Sequence, residues 1–507
     1  MSAVLDAPSR PPGFLDRARI VAPPGFNRWL VPPAALAIHL CIGEVYAFSV
    51  FKLPLTHLIG VDHAAPGDWT QPSVAWVFSI AIVFLGLSAA LFGSWLERAG
   101  PRKAMFASAV CFGGGFLVSA VGVWLHQIWL LYLGYGALGG IGLGLGYISP
   151  VSTLIKWFPD RPGMATGLAI MGFGGGAMVG SPLSNFLMHT YRSPDSAGVA
   201  ESFATLGALY FAFMMFGALT VRVPAPGWKP PGAVRKSIPS TASVTPAAAV
   251  RTPQFWLLWS VLFLNVTAGI GVLEQASPMI QEMFPDRVSA GAAAGFVGLL
   301  SLFNMAGRFL WSSTSDVIGR KPTYMIFFAL GAVLYALTPT TGHLGSVVLF
   351  IACYAVILSM YGGGFATIPA YLRDQFGTGQ VGAIHGRLLT AWSLAGVAGP
   401  LMVNYIREAQ IADGIPKAEA YTVVMYLMAG LLILGFVCNV LVRRATSAEP
   451  VVSATTAGDH TTAPTATDEH TPDAAGWLTV VFRWACVAIP LAWGVSMTVR
   501  SSLPLFQ

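Results

Sequence analysis

Gly93-Ser94-Trp95-Leu96-Glu97-Arg98-Ala99-Gly100-Pro101-Arg102-Lys103 has a counterpart in Ser312-Ser313-Thr314-Ser315-Asp316-Val317-Ile318-Gly319-Arg320-Lys321, and the two acids are 219 positions apart. Each stretch leaves one apolar segment and enters the next. An acid (Glu97 or Asp316) stands where a helix ends, and a glycine three residues on (Gly100 or Gly319) stops it. Basic residues follow: Arg102 and Lys103 in the first copy, Arg320 and Lys321 in the second, with Arg98 beside the first acid. Such charges can pair across helix ends and hold one arrangement of a rocking bundle. A single charged turn is ordinary; two at matched positions mark a repeat. Gly180-Ser181-Pro182 against Ala398-Gly399-Pro400, and Tyr147 against Phe365, share an offset of 218. Three anchors at nearly one offset predict two homologous halves, with a site between them.

The flanking segments read as membrane spans. Of 507 residues, 55% are hydrophobic and 10% charged, far below the roughly 25% charged of soluble domains. Thirteen apolar runs approach the roughly 20 residues that a helix needs to cross hydrocarbon: 29–53, 74–96, 103–125, 128–154, 163–188, 203–221, 254–280, 289–312, 323–339, 345–371, 380–405, 421–442 and 477–499. The expected organisation is an N-terminal segment 1–28, a six-helix bundle 29–221, a basic linker 222–252, a second bundle 253–442, a Thr/Ala-rich disordered linker 443–476 and a thirteenth span 477–499. The net charge of +6 lies mostly in loops on one side, which places the N-terminus in the cytoplasm and the C-terminus in the periplasm of a bacterial inner membrane. Nucleic acid is therefore not the expected partner. The five cysteines fall in apolar runs with no metal or disulfide spacing. The expected class is an all-α membrane protein without metal or cofactor, surrounded by lipid and monomeric.

Within the spans, Arg308 stands out. It precedes Asp316 by eight residues, about 12 Å along a helix, which sets it near mid-depth. A cation there faces a cavity or a partner. Asn304, one turn earlier, shares its face. A guanidinium fork beside an amide suits a carboxylate; the alternative is an ion pair with a buried acid. Glu44 and Glu274 can pair with a base, carry a coupling proton, or reach the outer vestibule. His39 and His385 are either proton-handling groups or packing residues. Tyr46, Tyr147, Tyr361 and Trp392 lie at matched depths and either line a cavity or fill the core. The dense glycines of spans four and five read as close helix packing, since no Lys-Ser or Lys-Thr follows to make a phosphate loop. Arg483 has no evident role.

Gly43-x-x-Tyr46-Ala47-Phe48-Ser49-Val50-Phe51, Lys156-Trp157-Phe158-Pro159-Asp160-Arg161, Asn265-Val266-Thr267-Ala268-Gly269 and Asn304-x-x-Gly307-Arg308 together resemble the oxalate:formate antiporter family of the major facilitator superfamily, over roughly residues 28–442. The resemblance implies two six-helix bundles, alternating access, and Arg308 as the anion-binding arginine. It also shows two departures. Trp392 stands where the oxalate transporter has a second cation, and Asn304 where proton-coupled relatives commonly carry Asp. The tail 476–507 resembles a single-span small subunit found beside some relatives. One buried cation neutralises one carboxylate, so monocarboxylates of the formate, lactate or pyruvate type are expected to be preferred; oxalate/formate exchange is the alternative. An enzyme would need a catalytic constellation and a sensor an output domain, and the sequence shows neither.

Overall fold

The computed structural model describes residues 13–61, 65–230, 244–443 and 474–506. Of the expected linker 222–252, residues 231–243 lie outside the described residues, and of 443–476, residues 444–473 do. Spans 1 to 6 run Arg28–Ala47, Gln71–Ala99, Pro101–Trp124, Ile128–Trp157, Pro162–Tyr191 and Val199–Thr220. Spans 7 to 12 run Pro253–Met283, Ala290–Ile318, Arg320–His343, Val347–Phe376, Val381–Ala412 and Thr422–Leu441. Span 13 is Ala474–Ser502. Span 8 is as long as its neighbours, and Asn304 and Arg308 dilute its apolarity.

Local signals start and stop these helices. Thr70, Thr252, Ser289 and Ser346 each accept a hydrogen bond from the backbone N–H three residues on, satisfying donors that a helix start leaves free. Proline opens spans 3, 5 and 7, where its missing N–H costs nothing. Gly100 (φ 90) and Gly319 (φ 93) close spans 2 and 8 in matching left-side conformations, and each donates its N–H four residues back, to Leu96 and to Ser315. The repeated loop of the sequence is thus a repeated backbone shape that glycine alone adopts readily.

Packing repeats as well. Spans 1 and 5, 2 and 4, and 3 and 6 pair in the first half; spans 7 and 11, 8 and 10, and 9 and 12 pair in the second. The halves meet through span 5 against span 8 and span 2 against span 11. The chain is a multi-pass, all-helical bundle of two six-helix halves with one extra helix. Three spans depart from regular α geometry. Span 1 passes into a 3₁₀ stretch at Gly43–Ala47, span 4 contains a π segment at Tyr132–Gly139, and span 11 breaks between Leu388 and Thr390. Such irregularities cluster at functional positions.

Candidate anion site and the contacts between the halves

Arg308 is fully buried where the two halves meet. Its Nε donates to Asn304 Oδ1 at 2.9 Å, one helical turn away, and its Nη1 donates to the Ile170 carbonyl of span 5 at 3.4 Å. The guanidinium carbon lies 5.4 Å from the Phe173 ring and 5.2 Å from the Phe365 ring, so one aromatic from each half flanks the charge. Nη2 has no partner.

The aromatics of the sequence reading gather on this guanidinium. Trp392 packs at 4.6 Å from Phe365, 5.3 Å from Phe173 and 5.3 Å from Tyr147. Tyr46 and Tyr361 bring their hydroxyls to 3.4 Å of each other from opposite halves. Tyr147 also meets His39 at 5.4 Å and His385 at 5.8 Å. Several buried polar atoms here lack partners: Arg308 Nη2, Tyr147 Oη, Trp392 Nε1, His39 Nε2 and both His385 ring nitrogens. A buried donor left unsatisfied costs about 1–3 kcal/mol. Orphaned N–H and O–H groups gathered around one guanidinium are the donor chemistry that a small anion with several acceptor lone pairs requires. The site draws on spans 1, 4, 5, 8, 10 and 11.

Three residues of this site escaped the sequence reading: Phe365, which served there only as a repeat anchor, Phe173 and Gly174. Phe173 sits in an apolar run where nothing distinguishes it from core. Gly174 hides in a glycine-rich stretch, yet a Cβ there would lie 2.9 Å from Arg308 Nε and 3.0 Å from Met305 Cα. Its missing side chain is what admits the guanidinium.

Glu44 lies apart from the cluster. It is buried in the first half and takes a hydrogen bond from Tyr135 Oη at 3.2 Å, while its other oxygen is unpartnered. The 3₁₀ stretch of span 1 carries Glu44 and the π segment of span 4 carries Tyr135. Among the described residues Glu44 forms no ion pair with a base, and it is fully buried. The side chain of Glu274 is outside the described residues.

The repeated loops connect the halves. Glu97 accepts from Lys156 Nζ at 2.5 Å, from Ser152 Oγ at 2.9 Å, and from the backbone N–H of Gly382, in the other half, at 3.1 Å. Asp316 accepts from the backbone N–H groups of Gly163 and Met164, both at 2.8 Å, again in the other half. Each acid caps a helix start across the interface, where the helix dipole favours negative charge. Gly163 and Gly382 are 219 positions apart, the same offset as the acids. Pairing within the loop, which the sequence suggested for both copies, occurs in the second: Arg320 bonds Asp316 at 2.5 Å and Asp374 at 3.2 Å. In the first copy Arg98 bonds, among the described residues, only the Ser94 carbonyl of its own helix, and Arg102 donates to the carbonyls of Phe14, Leu219 and Val221. Lys103 instead meets Asp16 at 2.5 Å and holds that carboxyl below its usual range. Arg373 adds a bond to the Pro159 carbonyl across the halves at 3.1 Å. The face that carries these loops is closed.

A profile of the Major Facilitator Superfamily matches residues 26–400. The oxalate:formate antiporter of Oxalobacter formigenes is 30% identical over 379 residues, covering 74% of this chain and 83% of that protein. Apicoplast pyruvate carrier 1 of Toxoplasma gondii is 26% identical, covering 75% and 83%. Human monocarboxylate transporter 11 is 26% identical, covering 76% and 78%. Among solved structures, the transporter FucP in its outward conformation aligns with a TM-score of 0.59 at 14% identity, over 83% of this chain and all of that one. The human organic anion transporter MFSD10 aligns at 0.55 and 17%, over 82% and 100%. At those identities the two structures show the fold alone.

Proposed function

The chain belongs to the major facilitator superfamily and, within it, to the oxalate:formate antiporter family, and on that premise we propose that it carries small monocarboxylates of the formate, lactate or pyruvate type by alternating access. It is a membrane transporter and not an enzyme. The observation that carries the substrate class is the fully buried Arg308 guanidinium, where the two halves meet, ringed by unpartnered donors. A carboxylate bound there meets Arg308 Nη2 and, with small ring movements, Tyr147 Oη and Trp392 Nε1. Its charge is then compensated, as burial demands. The relatives' names, an oxalate:formate antiporter, a pyruvate carrier and a monocarboxylate transporter, agree with a small carboxylate.

Asn304 bonds Arg308 through an amide that cannot take up a proton, which favours exchange over proton symport through that pair. The proposed orientation sets the loop face and the N-terminus in the cytoplasm, with the C-terminus in the periplasm of a bacterial inner membrane. Oxalate/formate exchange is a second reading. It is favoured by His385, whose two unpartnered nitrogens lie beside Tyr147 and could serve as a second cation. Purified protein in liposomes loaded with labelled formate decides between them. Faster efflux against external formate, lactate or pyruvate than against oxalate supports the monocarboxylate reading. Stronger counterflow with oxalate overturns it in favour of the second.

A further inference from the structure

Span 13 crosses the outside of the molecule diagonally, fastened to one half at one end and to the other half at its far end. Near its start, Arg483 Nη1 donates to the carbonyls of Leu30 and Thr220 at 3.3 and 3.4 Å, and Trp484 Nε1 donates to the Trp29 carbonyl at 3.1 Å. Thr220 ends span 6, so its carbonyl is one that the helix leaves free, and a cation suits a helix C-terminus. All three partners belong to the first half, on the loop face. Midway, Val487 is buried against Leu36, Ala37 and Leu40 of span 1. A Cβ at Gly494 would lie 3.1 Å from the Met178 carbonyl and from Val179 Cγ2 of span 5. The last turn belongs to the second half. Ser502 Oγ donates to the Gly295 carbonyl of span 8 at 2.9 Å, and Thr498 packs on Gly298.

The crossing passes directly behind the anion site. A Cβ at Gly175 would sit 2.7 Å from Met305 Sδ and 2.8 Å from Leu491 Cδ2 of span 13. Gly175 follows the glycine that admits Arg308, and Met305 follows Asn304. Lipid gives no hydrophobic push to hold a helix on a bundle, so small residues and interhelical hydrogen bonds mark a specific seat. Here hydrogen bonds occur at both ends, and glycines (Gly494 and Gly298) lie in the contacts with spans 5 and 8.

We propose that span 13 is a strap that favours the arrangement with the loop face closed. Alternating access turns one half against the other about the site between spans 5 and 8. A helix seated on both halves fits one relative orientation, so it must release one seat each time the loop face opens. The inference rests on the alternating-access reading but not on which anion is carried.

Two disulfide bridges test it, in protein whose five cysteines are replaced by alanine. One joins Val179→Cys to Gly494→Cys, and the other joins Gly298→Cys to Thr498→Cys, where the two Cβ positions are 3.7 Å apart, within disulfide range. Either bridge alone leaves one seat free, so exchange of labelled formate should stay within about twofold of the reduced protein. Both bridges together should slow it by about tenfold or more, with recovery on reduction. Doubly bridged protein that exchanges at the reduced rate overturns the proposal. A second readout needs no substrate, and so stands even where formate is not carried. Ala383→Cys, packed against Gly93 at the closed loop face, should be alkylated severalfold faster when Gly295→Leu or the milder Ser502→Ala loosens the far seat. Unchanged alkylation in both variants also overturns it.

Discussion

At the scale of single residues, the case for transport turns on Arg308. Its guanidinium is desolvated, flanked by Phe173 and Phe365, and held by Asn304 with one terminal NH2 group, Nη2, unpaired. Arg308→Ala should cut exchange by about a hundredfold. Arg308→Lys should be nearly as damaging, because an ammonium keeps the charge but not the planar fork. An alanine variant that folds and exchanges at the parent rate would remove the central-site reading. Trp392→Lys places a cation where an indole now packs and should shift preference towards oxalate in competition against labelled formate. Glu44→Gln keeps the shape and the Tyr135 contact while removing the titratable group. If Glu44 carries a coupling proton, the variant loses substrate-driven proton uptake yet keeps formate counterflow; unchanged proton uptake would exclude that role. Arg308 was legible in the sequence because an arginine in an apolar run has few stable environments. Phe173 was not, because an aromatic in a membrane helix looks the same whether it faces an anion or a neighbouring helix.

At the scale of elements, the glycines of span 5 and the repeated loops show what sequence can and cannot reveal. The stretch around Gly174 reads as a packing surface, and it is one. What it packs, the stem of Arg308 from the other half, depends on a helix more than a hundred residues away and leaves no local signal. Gly174→Ala introduces a Cβ into that contact and should weaken formate binding by about tenfold while the protein remains folded, measured by equilibrium binding. The loops were legible because their spacing, acids and glycines repeat. Their cross-half partners were not, because Gly163 and Gly382 contribute only backbone N–H groups. Asp316→Asn keeps the hydrogen-bonding shape but loses the charge facing the start of span 5, worth about 1 kcal/mol. Alkylation at the loop face should rise about fivefold in that variant.

At the scale of the whole molecule, the two-bundle fold was the most legible feature, since apolar runs and an internal offset suffice to draw it. The path of span 13 was not legible, because a lone apolar helix carries no address in its composition. Deleting 445–507 should leave equilibrium formate affinity within about twofold, because no described residue of that segment contacts the guanidinium, while lowering thermal stability; a well-folded deletion without formate affinity would contradict this. The reciprocal caps have one more consequence. Glu97 on Gly382 and Asp316 on Gly163 are the same joint made twice, at one common offset. That is the pattern of an isologous dimer, in which residue i of each subunit meets residue j of the other. The two halves therefore meet as a pseudo-two-fold pair, each offering the other the same acid and the same helix start. Residues 1–230 and 244–507, made as separate chains, should accordingly find each other in the membrane and co-purify.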